Sequence, residues 1–234
     1  MKHILLNRIF LCGSFFASVI TYTADQFNNL RASYFRHLEI IKSLQLSQPL
    51  KQQANETLVH MGLFGGFTVD ANHANTRTIA TYGLGGCIAT ALHVRYKNGA
   101  RYAGMTHFPP TDISEHKTAI KELISDATRK SDGNNGIQTA HFFVAVPGAL
   151  QKKDDTWEMV AAHRQKPTIA TLHALAEQKL NGYTGTLITD VLPYNIQEVN
   201  DDSDYNSRDL TLTLGKDSSS ILLTKNGYDK NINL

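Results

Sequence analysis

The sequence predicts an α/β domain in which a mixed, largely antiparallel β-sheet is layered against helices. Three observations predict it. Residues 88 to 96 alternate with period two and run into Lys97-Asn98-Gly99, a hairpin turn signal followed by the return run Arg101 to Phe108. The stretches 114 to 129 and 167 to 179 carry apolar residues at helical spacing between start and stop signals. Short apolar runs at His141 to Val146, Leu187 to Val191, Leu210 to Leu214 and Ile221 to Lys225 are interleaved with those helices, so strands and helices do not fall into separate blocks.

Taken from the amino terminus, Lys2, His3 and Arg8 precede the apolar run Ile9 to Ile20, the outline of a signal peptide, or of a hydrophobic anchor, over residues 1–24. Bulky Tyr22 ahead of Ala24 makes a poor cleavage site, and a short buried helix is the competing reading. The first reading exports the protein; the second keeps it in the cytoplasm. Over 25–47, Phe27, Leu30, Tyr34, Leu38, Ile41 and Leu44 recur at steps of three and four, an amphipathic helix. Pro49 and the polar run Lys51 to Glu56 break that pattern, so a helical extension over 25–56 precedes a main domain over 57–234.

Eight of the 16 glycines lie between 57 and 112, which marks backbone that turns sharply or approaches other groups closely. Leu58 to Val69 and Thr76 to Tyr82 read as strands around an Asp70 to Asn75 turn. The helix near 114 has Ser114 as its cap and Glu115 in its first turn. Pro147-Gly148 is expected to end the strand at 141, residues 151 to 166 are ambiguous, and Pro167 suits the first turn of the second helix. Glu198 to Asn206 reads as an acidic, solvated loop before a terminal hairpin.

Composition excludes several classes. With 234 residues and 41% hydrophobic content the chain can bury a substantial core. Lys+Arg total 23 against 21 Asp+Glu with no basic tract, so the footprint of a nucleic-acid binder is missing. Two cysteines, Cys12 and Cys87, make no disulfide framework, and the 10 histidines show neither His-Glu-x-x-His nor Cys/His ligand spacing. No metal or cofactor is implied.

The densest chemical signal is Thr81-Tyr82-Gly83-Leu84-Gly85-Gly86-Cys87, with Ala103-Gly104-Met105-Thr106-His107-Phe108 after the hairpin. A phosphate loop would need a following Lys-Ser/Thr and a helix, and neither is there. The other reading centres on Cys87: the glycines before it, Gly85 and Gly86, can aim backbone N–H groups at one point, as an oxyanion requires. A two-residue Asn98-Gly99 turn would set His107 opposite Thr90, and a turn centred one residue earlier brings it closer to Cys87. His93 is the competing base. Against both stands the plainer reading of an inert core thiol and a structural histidine.

Thr-x-Gly-Leu-Gly-Gly-Cys followed by Ala-Gly-Met-Thr-His-Phe resembles the CheD family of bacterial chemoreceptor glutamine deamidases, whose pattern is Thr, Leu-Gly-Ser-Cys and Gly-Gly-Met-x-His-Phe. Val59-His60-Met61-Gly62 resembles that family's first strand, and the similarity covers about residues 57 to 228. The resemblance implies a CheD-like fold and a hydrolase acting on carboxamide C–N bonds. Cys87 would be its nucleophile, His107 its general base and acid, and Thr81 its orienting residue. It further implies a protein substrate with an exposed glutamine, by default a methyl-accepting chemoreceptor, and a CheC-like regulator as partner. Export would redirect the activity to another target such as a host protein, and a binding or regulatory module that has lost turnover is the alternative of a different class. Gly86 stands where the family has Ser, and Leu63-Phe64 where a Glu usually follows Met-Gly.

Overall fold

A computed structural model describes residues 55–129, 136–153, 156–195, 209–224 and 230–234; the expected signal segment, most of the helical extension and the acidic loop lie outside the described residues. Among the described residues the order is β1 (Glu56–Leu58), β2 (Leu63–Val69), β3 (Arg77–Thr81), β4 (Ile88–Tyr96), β5 (Arg101–Phe108), α1 (Ile113–Arg129), β6 (Ile137–Lys153), β7 (Thr156–Ala161), α2 (Lys166–Leu180), β8 (Thr184–Asn195), β9 (Leu210–Leu214), β10 (Ser219–Leu223) and β11 (Lys230–Asn233). This is an α/β fold with mixed pairing. One sheet runs β1-β3-β9-β10-β11 and the other β2-β5-β4-β6-β7, with β8 also paired to β6. Only β1 with β3 and β6 with β8 pair in parallel among these ladders.

Strand alternation sorts the residues into three layers. Cys87, Ala89, Ala91, Ala103 and Met105 pack with Ile79, Leu210, Leu212 and Ile221 in a core between the two sheets. The intervening residues Ile88, Leu92, Val94 and Tyr102 pack with Ile120 and Ile124 of α1 and Leu172 and Ala176 of α2 in a second core. Because β4 is covered on both faces, eight of its nine residues are buried, and polar Thr90 and His93 are carried inside with the rest. A central strand of this kind is stabilised by roughly 1.5–3 kcal/mol for each large apolar side chain that it buries.

Several expectations are corrected in detail. The Leu58 to Val69 run is divided between the two sheets, β1 in one and β2 in the other. The strand at 141 does not stop at Pro147-Gly148. It continues to Lys153, because Pro147 lies between the last pair with β4, Ala89↔Ala145, and the first with β7, Gly148↔Ala161. On that edge of β6 a missing N–H interrupts no continuous ladder, while the pairing with β8 on the other edge runs through Pro147↔Tyr194. Asp112 rather than Ser114 stands at the start of α1, its carbonyl accepting the His116 N–H at 2.9 Å. β7 and β11 were not expected as strands.

The β4–β5 register is the correction that matters most. Tyr96 N–H bonds Ala100 O at 2.9 Å and Gly99 N–H bonds Tyr96 O at 2.9 Å, so the loop is the three residues Lys97 to Gly99, with Gly99 at φ +84°. A three-residue loop closed by a left-handed glycine is a standard hairpin solution. His107 therefore pairs with Ala89, not Thr90.

Candidate active site

The one-residue difference in register decides which face His107 occupies. Directly paired residues lie on the same side of a sheet and alternate residues share a face, so Cys87, Ala89 and His107 all project toward the other sheet. Opposite Thr90, His107 would have faced the helices. Thr106 occupies that side instead: its hydroxyl lies 2.6 Å from Thr90 Oγ1 and 2.6 Å from His116 Nε2 of α1. His93 shares the face of Cys87 but stands six residues along β4, about 20 Å at 3.3 Å per residue. That distance removes it as a base for Cys87.

Thr81 reaches the pair from the other sheet. It is the last residue of β3, and the Tyr82 to Gly86 loop carries the chain from one sheet to the other. Its hydroxyl donates to Val59 O at 2.6 Å and lies 2.8 Å from His107 Nδ1. A hydroxyl has one hydrogen, and this one is committed to the carbonyl, so Thr81 accepts from Nδ1–H. The histidine is thereby fixed as the Nδ1–H tautomer with Nε2 as its basic nitrogen. Thr81 and His107 are 0% and 1% exposed, which protects this hydrogen bond from competing water.

A short turn lies over all three side chains. Val59 O accepts from Thr81, Met61 Sδ is 3.6 Å from Cys87 Sγ, and Gly62 N–H donates to His107 O at 2.6 Å. Leu63 N–H bonds His60 O at 3.0 Å to close the turn, with Gly62 at φ +81°. Beside it, the Tyr82 hydroxyl lies 3.1 Å from His60 Nδ1, and burial lowers the pKa of His60 below the ordinary histidine value. Cys87 is 3% exposed beneath Met61, which is itself 39% exposed. The thiol is thus one methionine side chain away from solvent.

The glycine loop is held from β8 and from the residue before β9. Leu84 N–H donates to Asp209 Oδ2 at 2.6 Å, Gly85 N–H to Gly83 O at 2.7 Å and Gly86 N–H to Tyr194 Oη at 3.1 Å. Tyr194 Oη in turn donates to Cys87 O at 2.5 Å. Burial foremost, and the neighbouring Cys87 next, raise the Tyr194 phenol well above its ordinary pKa, so it stays protonated and able to donate. The Gly85 and Gly86 amides, expected to be aimed at an oxyanion, are instead spent on shaping the loop. Gly86 sits at φ +132°, a conformation that an L side chain rarely adopts, and this accounts for glycine at that position.

The sequence motifs named Thr81, Cys87 and His107, and the fold brings them to one end of the cleft between the sheets. Tyr194 and Asp209 were missed. Each is over 100 residues from the loop it holds, at |i−j| of 107 and 125, and no local pattern distinguishes them. Among the described residues no group of three or more His, Cys, Asp or Glu could hold a metal, and no helix is long and apolar enough to cross a membrane. No protein-family model matches this chain, and no curated protein matches it.

Proposed function

We propose that this protein is a cysteine-dependent protein glutamine deamidase of CheD-like fold, with Cys87 as nucleophile, His107 as general base and acid, and Thr81 as the positioning residue. The observation that carries this reading is the Thr81–His107 hydrogen bond, which presents a basic Nε2 on the sheet face that also bears Cys87. A free thiol has a pKa of about 8.5, and a neighbouring imidazole can take its proton near neutrality.

In the first half-reaction His107 takes the thiol proton and Cys87 Sγ bonds to the glutamine carboxamide carbon. The oxyanion forms beside the Cys87 amide, at the point where the loop enters β4. His107 returns the proton to nitrogen as the C–N bond breaks and ammonia departs. In the second, water gives one proton to His107 and its oxygen to the thioester carbon; the C–S bond breaks, the Cys87 sulfur takes the proton back from His107, and the substrate protein leaves with a glutamate side chain in place of the glutamine. Met61 must move aside for a side chain to enter, since its sulfur lies against the thiol. The default substrate is a chemoreceptor signalling domain, with a CheC-like regulator as the corresponding partner. An exported form would act on another protein, such as one from a host.

Incubation of a purified chemoreceptor signalling domain with wild-type protein and with Cys87→Ser, read by peptide mass spectrometry, tests the mechanism. The expected result is a gain of about one dalton at glutamine with wild type alone, since substitution of a covalent nucleophile removes the thioester path. Deamidation by the Cys87→Ser protein would refute it. A second reading, a binding module without turnover, is favoured by the engaged Gly85 and Gly86 amides and by Met61 over the thiol. It predicts that Cys87 reacts with iodoacetamide no faster near pH 7 than an ordinary free thiol.

A further inference from the structure

The far end of β4 and β5 carries a second polar group on the face that bears Cys87 and His107. His93 pairs directly with His141 of β6, with the two rings 6.1 Å apart between centroids. One step along the same face, Arg95 pairs directly with Arg101. Side chains directly opposed in an antiparallel pair start about 4.5–5.5 Å apart, and like charges so placed repel.

Among the described residues no carboxylate forms an ion pair with either arginine; the pair that does form is Arg129–Asp126 on α1. Asp190 acts on His141 and Asp217 on Arg101 only from a greater distance. Arg101 is 4% exposed, yet its guanidinium donates to backbone carbonyls alone, Ser218 O at 3.2 Å and Lys216 O at 3.1 Å. The neighbouring polar groups are unsatisfied as well. His93 is 2% exposed with neither ring nitrogen hydrogen-bonded, and Ser219, beside the carbonyl that holds Arg101, is 2% exposed with no partner for its hydroxyl. Buried charges are ordinarily paired and buried donors ordinarily bonded. His141, Arg95 and Arg101 all oppose a proton on His93, so the field here is positive and suits an anion rather than a metal cation. Arg95 is exposed and His141 half-buried, which opens the group to solvent at its outer end.

We propose that Arg95, Arg101 and His93 form a binding site for a small phosphate-class oxyanion, which enters beside Arg95, bridges the two guanidinium groups and accepts a hydrogen bond from His93. Two opposed guanidinium charges match a dianion better than a single carboxylate, and their planar forks match its oxygens. His93 is about 20 Å along β4 from Cys87, so the site does not depend on what the thiol catalyses. The chemistry recognised is the same for free inorganic phosphate and for a phosphate group on a larger molecule.

Full-length protein titrated at pH 7 with inorganic phosphate and with phenyl phosphate, against chloride at matched ionic strength, tests the site. Calorimetry measures binding, urea unfolding measures stabilisation, and imidazole nitrogen NMR follows His93. The expected result is one saturable site with a Kd below about 1 mM, a raised urea midpoint, and movement of the His93 signals while those of His116, on the helix side of the sheet, stay in place. Arg95→Gln, a change at an exposed position, is expected to weaken binding at least about tenfold, the loss of a charge-assisted hydrogen bond. Similar affinity for phenyl phosphate would identify a phosphate group on a larger molecule as the ligand, and a preference for inorganic phosphate the free ion; both support the site. Phosphate that raises the urea midpoint no more than chloride would overturn the proposal. So would binding that leaves the His93 signals unmoved, or that keeps the parent affinity in Arg95→Gln.

Discussion

Tyr194→Phe isolates the contribution of one oxygen atom. The ring stays in the core between the sheets, so no volume is lost, but Cys87 O loses its donor at 2.5 Å and Gly86 N–H its acceptor at 3.1 Å. Cys87 and Tyr194 are 3% and 0% exposed, so water does not replace the bond to the carbonyl, which costs about 1–3 kcal/mol. Gly86 is half-buried and its N–H can turn to solvent, adding about 0.5–1 kcal/mol. The sum, about 1.5–4 kcal/mol, corresponds to a fall in Tm of roughly 3–16 °C for a domain of this size. Thermal unfolding followed by circular dichroism measures it. Released from its clamp, the loop also lets Cys87 wander, so its iodoacetamide reaction changes rate in the same variant. A Tm within about 1 °C of wild type would refute the argument, because it would mean that the two bonds to Tyr194 contribute nothing to the fold.

Two further outcomes follow from the same geometry. Thr81→Val keeps the shape but removes the acceptor for Nδ1–H, so imidazole nitrogen NMR is expected to show one Nδ1–H tautomer in wild type and Thr81→Ser, and a mixture in Thr81→Val; for the proposed deamidase reaction, turnover falls by at most the ~10²–10⁴-fold contribution of a positioned base. A single tautomer in Thr81→Val would show that something else orients the ring. Acid stability is set partly by His93 and His116, whose pKa values burial lowers to about 3 and about 4, with His141, Arg95 and Arg101 adding to the shift at His93. Both are neutral in either state above pH 6.5; below it the unfolded chain takes up protons first, so stability is lost as pH falls from about 6.5 toward 4 and then 3, by up to about 1.4 kcal/mol per pH unit for each group. Urea midpoints at pH 7, 5.5 and 4.5 measure the slope, and His93→Phe is expected to flatten it; an unchanged slope would remove His93 from the account.

Much of the fold was legible because its signals are local. The β4–β5 hairpin, α1, α2 and the β9–β10 hairpin are each specified by periodicity and turn residues within some 20 positions, and the structure places them within a few residues of the expected bounds. β6 was not legible beyond Val146, since Pro147 ordinarily ends a strand and only the change of neighbour from β4 to β7 around it makes its position tolerable. β7 lies in a charged segment whose strand character depends on its pairing with β6 rather than on its own pattern. The Leu58 to Val69 run could not be divided from sequence, because either half is a plausible strand and sheet membership is set by partners elsewhere.

The sequence by itself determined the three residues and the strands that position them: a threonine closing β3, a cysteine just before β4 and a histidine near the end of β5 are all written in two short motifs. Tertiary structure decided whether they meet. A hairpin loop of three residues rather than two turns His107 from the helix side to the sheet side, since side chains alternate with period two. The stacking of one sheet on the other brings Thr81 to Nδ1 and selects the tautomer, and Tyr194 and Asp209 return from over 100 residues away to fix the loop between them. Those contacts are made across the cleft by residues whose chemistry is ordinary in their own neighbourhoods. Their roles come from placement, which no local pattern encodes.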